Sequence, residues 1–166
     1  VLADPTQVHQ IFLNLGSNAA QAMESDGGVL KLTLDDVTIS AQQAREYVDL
    51  SPGDYIRIAL SDMGIGIPEA HMDTIFEPYF TTKPVGGGTG LGLSVVHGIV
   101  KGLQGEIMVA SQPAQGTCFT IYLPVTSESE PPVSEEDDTS PRGSGHVLVV
   151  DDEESVADMV GRTLER

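Results

Sequence analysis

Asn14 and Asn18 stand four residues apart in a stretch patterned for a helix. At that spacing they share one face, beside a stripe of Val8, Ile11, Phe12, Leu15, Ala19 and Ala22. Asparagine is a poor residue inside a helix because its side chain competes for backbone hydrogen bonds. One such residue fits a solvated surface. Two on one face also fit carboxamides aimed into a cleft, and the spacing leaves both readings open.

A second candidate is Asp62-Met63-Gly64-Ile65-Gly66-Ile67-Pro68, which follows an apolar strand pattern. An aspartate at a strand end can accept a hydrogen bond from a flat ligand, and spaced glycines let backbone approach it. The competing reading is an Asx turn that ends the strand.

The third candidate, FEPYFTTKPVGGGTGLGLS, spans residues 76–94. Pro78, Thr81, Thr82, Pro84 and the glycines at 86, 87 and 88 sustain neither regular period. From Gly90 on, Leu91, Val95, Val96, Ile99, Val100 and Leu103 recur at helical spacing. A glycine loop therefore feeds a helix N-terminus, where free N–H groups and the dipole favour an anion. Gly88, Gly90 and Gly92 remove Cβ atoms from that approach, and Lys83 is the nearest cation in sequence. A plain flexible connection accounts for the glycines equally well. Two other phosphate motifs are excluded. G-x-x-x-x-G-K-[ST] fails because the chain contains no Gly-Lys pair, and G-x-G-x-x-G fails at Leu93.

The elements that must position these groups read in order. Val1–Ala3 ends like a strand. Asp4 is a helix N-cap followed by Pro5, with Gln7 completing a capping-box pattern, and the helix runs to about Met23. Asp26-Gly27-Gly28 turns into a strand at Val29–Ile39, where Leu30, Leu32 and Leu34 alternate with polar residues. Ala41, Ala44, Tyr47 and Val48 suggest a short helix within 40–50. Tyr55–Ser61 is the next strand, and Pro68-Glu69 opens a short helix to about Phe76. After the helix that follows the glycine loop, Lys101 and Gly102 supply capping chemistry. Glu106–Ala110 and Thr117–Leu123 then form two strands around the turn at 111–116. The expected fold is α/β: a two-layer α+β sandwich with a mixed sheet packed on helices.

The chain has 166 residues and a net charge of −17. Acidity on this scale argues against nucleic acid and anionic membrane as partners, though not against a phosphate ligand arriving with Mg²⁺. No apolar run approaches the ~20 residues of a membrane helix, and no signal peptide opens the sequence, so a cytoplasmic location is expected. The lone Cys118 excludes a disulfide framework; in a strand pattern it is expected to be buried. His9 lies outside metal-ligand spacing and, with Gln10, is expected at the surface.

In combination the motifs resemble the sensor histidine kinases. Asn14-x-x-x-Asn18-Ala19 resembles their N box, Asp62-x-Gly64-x-Gly66 the first glycine box, and Phe76-Glu77-Pro78-Tyr79-Phe80 the F box. Gly88-Thr89-Gly90-Leu91-Gly92-Leu93 resembles the second glycine box, and Gly116-Thr117 the glycine–threonine pair that follows. Residues 1–125 thus look like a histidine kinase catalytic domain of the Bergerat (GHKL) fold.

This resemblance implies ATP and Mg²⁺ as ligands. It implies that Asn18 coordinates the Mg²⁺ on the ATP phosphates, supported by Asn14. Asp62 would take the adenine amino group, with Gly64, Gly66 and Ile67 letting the base lie close and Thr117 joining through water. Gly88, Thr89, Gly90, Leu91 and Gly92 would wrap the phosphates, and residues 76–89 would be a long flexible ATP lid. No residue is assigned to catalysis outright; Asn14 and Lys83, which could reach the terminal phosphate, are the candidates. His97 is expected to pack rather than react. Gyrase-type members carry a glutamate base where this chain has Asn14, which suits phosphate transfer to a side chain better than attack by water.

That side chain would be a histidine on a helical dimerisation domain, which no segment here resembles, so the chain alone is not expected to autophosphorylate. A non-catalytic nucleotide-binding module and a free-standing ATPase are the alternatives. Residues 126–145 read as an acidic Pro/Ser linker, expected to be disordered. Residues 146–166 resemble the first strand and helix of a response-regulator receiver, where Asp151 and Asp152 would hold Mg²⁺ in an intact domain. The parent would then be a hybrid kinase whose partners include a receiver or response regulator; any membrane anchor of the parent would lie upstream.

Overall fold

The computed structural model describes residues 3–25, 27–45, 50–82 and 88–126. The element order is α1 (Pro5–Ala22), β1 (Lys31–Ile39), β2 (Gly53–Ser61), α2 (Gly92–Gly102), β3 (Glu106–Gln112) and β4 (Gly116–Pro124). Single 3₁₀ turns occur at Gln43–Arg45 and Glu69–His71. Outside the described residues lie Val1 and Leu2 of the expected first strand, Tyr47 and Val48, Lys83, and the linker and receiver-like segment with Asp151 and Asp152.

Helix α1 starts where its residues dictate. Pro5 occupies the first turn, and the Asp4 carboxylate accepts from the Thr6 amide at 2.7 Å, filling one orphan donor. Helix α2 ends differently from expectation. Gly102 closes the helix, but the left-handed residue is Gln104, at φ 57°. Its amide donates to the Lys101 carbonyl at 3.0 Å, and Gly105 donates to Val100 at 2.9 Å. These paired bonds are a Schellman closure.

The four strands form one sheet in the order β1-β2-β4-β3, and every neighbouring pair is antiparallel. A mixed sheet is expected from the sequence, and among the described residues the pairing is antiparallel throughout. β2 and β3 do run parallel, joined by the crossover through α2, but β4 inserts between them. Each strand therefore meets only antiparallel neighbours, as in a split βαβ unit.

Both helices lie on one face of the sheet. Ile11 and Leu15 from α1 and Val96 and Val100 from α2 pack with Ile58, Leu60, Ile107, Phe119, Ile121 and Leu123. Val96, Val100 and Ile121 are fully buried. A smaller cluster on the opposite face joins Ile39, Leu50, Tyr55 and Tyr122. The leucines of β1 align with the main core, since Leu32 pairs with Leu60 and Leu34 with Ile58. Yet Leu32 is 55% and Leu34 66% exposed. Strand β1 is the sheet edge, and the described helices cover its neighbours instead.

The helix expected from Pro68 to Phe76 is only the 3₁₀ turn followed by further turns. Ile75 still reaches the core, so one buried anchor fixes this segment without a full helix.

Candidate functional site

The end of β2, the residues after it and the β3–β4 hairpin enclose a cleft of about 390 Å³. Asp62, Ser61, Met72, Ser111, Gln112 and Thr117 contribute to its lining. Asp62 is 7% and Thr117 5% exposed, and they are the buried polar side chains among the described residues. A buried carboxylate is costly unless hydrogen bonds replace its water. Asp62 Oδ1 accepts from the Gly64 amide at 2.9 Å and from the Thr117 amide at 3.2 Å. Its own amide donates to the Thr117 carbonyl at 2.9 Å. Oδ1 thus holds an Asx turn, and among the described residues nothing takes Oδ2.

The loop after Asp62 is tied down on both sides. Ile65 donates to the Ala22 carbonyl at the end of α1, at 3.1 Å. Ala114 of the hairpin donates to the Ile65 carbonyl at 2.8 Å. Ile67 donates to Ser111 Oγ at 2.8 Å. These bonds explain two glycines in a way that sequence reasoning missed. Gly66 has φ +70°, and a Cβ there would lie 2.1 Å from the Gln112 carbonyl oxygen. Gly116 has φ +87°, and a Cβ would lie 2.0 Å from the Asp62 carbonyl oxygen. Both glycines are required by the protein's own backbone before any ligand is considered.

Helix α1 places Asn14 and Asn18 apart in role. The Asn14 amide donates to the Gln10 carbonyl one turn back, at 2.9 Å. Its Oδ1 lies 3.0 Å from where a Gly92 Cβ would sit, so Asn14 faces the first residue of α2. Asn18 is half-buried, and its carboxamide has no partner among the described residues. An unclaimed carboxamide oxygen beside the core is a fitting ligand for a hard cation. Among the described residues no cluster of three or more acidic, histidine or cysteine side chains could hold a metal by itself.

The glycine segment meets the F box. Tyr79 donates to the Gly90 carbonyl at 2.9 Å, and Gly90 has φ +67°. Leu91 caps α2 without a side-chain bond, and Thr89 Oγ1 accepts from the Leu91 amide at 3.4 Å. Gly88 is exposed at the start of this described segment. The ring of Phe76 stacks at 5.3 Å on that of His97, which has the packing role expected of it. His9 and Gln10 are exposed, also as expected. Cys118 differs from expectation: it is half-buried and lines the cleft.

Ser111 is the residue that sequence reasoning passed over as part of a turn. It belongs to β3 and pairs directly with Thr117 of β4. The signal was a register: in an antiparallel hairpin, opposite residues share a face.

Two helices packed on one face of an antiparallel sheet, with a buried carboxylate at a cleft beside the strand ends, define an α/β sandwich with a candidate ligand site. The chain belongs to the histidine kinase-, DNA gyrase B-, and HSP90-like ATPases, whose family model matches residues 3–127. It is 40% identical over 165 residues to the sensor kinase CckA of Brucella abortus (strain 2308), covering 94% of this chain and 17% of that protein. It is 40% identical over 132 residues to the sensor histidine kinase ZraS of Escherichia coli (strain K12), covering 80% of this chain and 24% of that protein. The chain thus spans a quarter or less of these relatives. Among solved structures, the mycobacterial sensor histidine kinase MprB matches with a TM-score of 0.56 and 29% identity, over 75% of this chain and 74% of that one. Full-length ShkA in complex with AMPPNP matches with a TM-score of 0.55 and 27% identity, over 75% of this chain and 22% of that one. The domain is therefore an ATPase-family domain, and the relatives it resembles are sensor kinases. No helix among the described residues is long and apolar enough to cross a membrane.

Proposed function

We propose that this domain binds Mg-ATP and presents the terminal phosphate to a histidine on a helical domain of its parent protein. The observation that carries the reading is the clasp between Asp62 and Thr117, which holds a buried carboxylate at the cleft. Asp62 would accept from the adenine amino group, and the half-buried Asn18 would hold Mg²⁺. The metal, when bound, would neutralise phosphate charge. The residues 88–92 at the start of α2 would line the phosphates with backbone N–H groups. Asn14 would support this end by holding α1 against Gly92. In the transfer, an imidazole nitrogen forms a bond to the terminal phosphorus as its bond to the ADP oxygen breaks. The domain contributes by positioning and electrostatics.

Asn14 favours transfer over free hydrolysis. A carboxamide cannot act as a general base, and its amide is committed to Gln10. Residues 146–166 would be a receiver start because an apolar run there ends in the acidic pair Asp151-Asp152. The CckA match runs over 165 residues, past the end of the family model at 127. A receiver or response regulator would then be the next phosphate acceptor.

The test is to mix the 166-residue chain with a separately purified histidine-bearing dimerisation domain and ATP labelled on the terminal phosphate. Acid-labile label on the added domain, lost with Asp62→Asn, is the expected result. ATP binding without transfer would favour a regulatory binding module. Phosphate release without an acceptor would favour a free-standing ATPase.

A further inference from the structure

Ser111 Oγ makes three contacts at once. It accepts from the Ile67 amide at 2.8 Å, lies 2.9 Å from the Gly116 carbonyl, and lies 2.9 Å from Thr117 Oγ1. A hydroxyl has one proton and two lone pairs. The Gly116 carbonyl can only accept, so the Ser111 proton goes there. The Ile67 N–H can only donate, so it occupies one lone pair. The remaining lone pair faces Thr117, whose hydroxyl must therefore donate to Ser111. That fixes the Thr117 proton away from the cleft and leaves Thr117 with only lone pairs to offer a ligand. Asp62 beside it is a carboxylate and also only accepts.

We infer that Ser111 is a positioning residue that sets the hydrogen-bond polarity of the base-recognising wall, and thereby selects a 6-amino purine over a 6-keto purine. An amino group, or a water donating in both directions, satisfies an acceptor-only wall. A keto oxygen set against the same wall meets two acceptors and leaves buried groups unpaired. Ser111 acts through Thr117. Without it the Thr117 hydroxyl is free to rotate and donate inward, and the wall tolerates either base. This inference rests on the nucleotide reading of the cleft.

The test compares dissociation constants of ATP and inosine triphosphate with Mg²⁺, by calorimetry on the 166-residue chain. The two ligands differ only at the base edge that meets the wall. The wild type should strongly prefer ATP. Ser111→Ala should shrink the preference about fivefold, the worth of one hydrogen bond. Ser111→Thr, which keeps a hydroxyl with the same partners, should retain it. If Ser111→Ala fails to fold, Thr117→Val removes the acceptor while leaving the bonds from Ser111 to Ile67 and Gly116, and it should shrink the preference as well. A folded Ser111→Ala with the wild-type ratio overturns the inference alone, as does Thr117→Val with that ratio. A wild type that binds neither nucleotide overturns the ATP reading and this one with it.

Discussion

Asp62 and Thr117 hold each other through two reciprocal bonds: the Asp62 amide to the Thr117 carbonyl at 2.9 Å, and the Thr117 amide to the Asp62 carboxylate at 3.2 Å. They lie 55 residues apart in the chain, at the ends of β2 and β4. One strand end thus builds a turn and presents a carboxylate with the same side chain.

Asp62→Asn separates these two duties. The amide oxygen can still accept from Gly64 and Thr117, so the fold should hold, with a melting temperature within a few degrees of wild type. The second oxygen becomes a donor that opposes the adenine amino group. ATP affinity should fall by ~10- to 100-fold, the range for hydrogen bonds to charged groups. Calorimetric titration reads both ligand terms; unchanged affinity would remove Asp62 from recognition.

Asn18→Ala should act through the metal. The side chain has no partner among the described residues, so little stability should be lost. The gain in ATP affinity on adding Mg²⁺ should shrink toward none, while affinity without the metal stays close to wild type. A full Mg²⁺ effect in the variant would place the cation elsewhere.

Gly66→Ala should destabilise the domain itself. The added methyl would meet the Gln112 carbonyl at 2.1 Å, and the backbone has φ +70°. Backbone must shift on one side, and about 2 kcal/mol or more should be lost. Urea unfolding followed by circular dichroism measures it; a wild-type midpoint would contradict the close approach.

Ile121→Ala probes the core under both helices. Ile121 is fully buried at the centre of β4. Transfer and cavity terms together predict a loss of about 2–5 kcal/mol. The same urea experiment tests this, and a loss well under 1 kcal/mol would mean that the layer is not packed as described.

Much of this fold could be read locally. Asp4-Pro5 marked the start of α1, alternating apolar residues marked the strands, and Gly116-Thr117 marked the start of β4. What could not be read depends on partners distant in the chain. The leucines of β1 alternate as a buried strand should, yet their exposure follows from an edge position that only the strand order reveals. The insertion of β4 between β2 and β3 left no trace in either strand's pattern. Ser111 was invisible because its importance is a matter of register with Thr117. Gly66 was noticed as room for a ligand and Gly116 as part of a turn; the backbone they accommodate is contributed by Gln112 and Asp62.

The inserted β4 also sets an order of events on the ribosome. A nascent chain that has emerged only as far as Gln112 already holds both asparagines, Asp62, the glycine segment and all of α2. It lacks the cleft, because Thr117 and the central strand between β2 and β3 are still missing. The last of the described strands completes the middle of the sheet, and such long-range closure is slow compared with local helix formation. On the proposed reading, ATP would therefore be a ligand only of the finished domain and would not template the earlier stages of its own site.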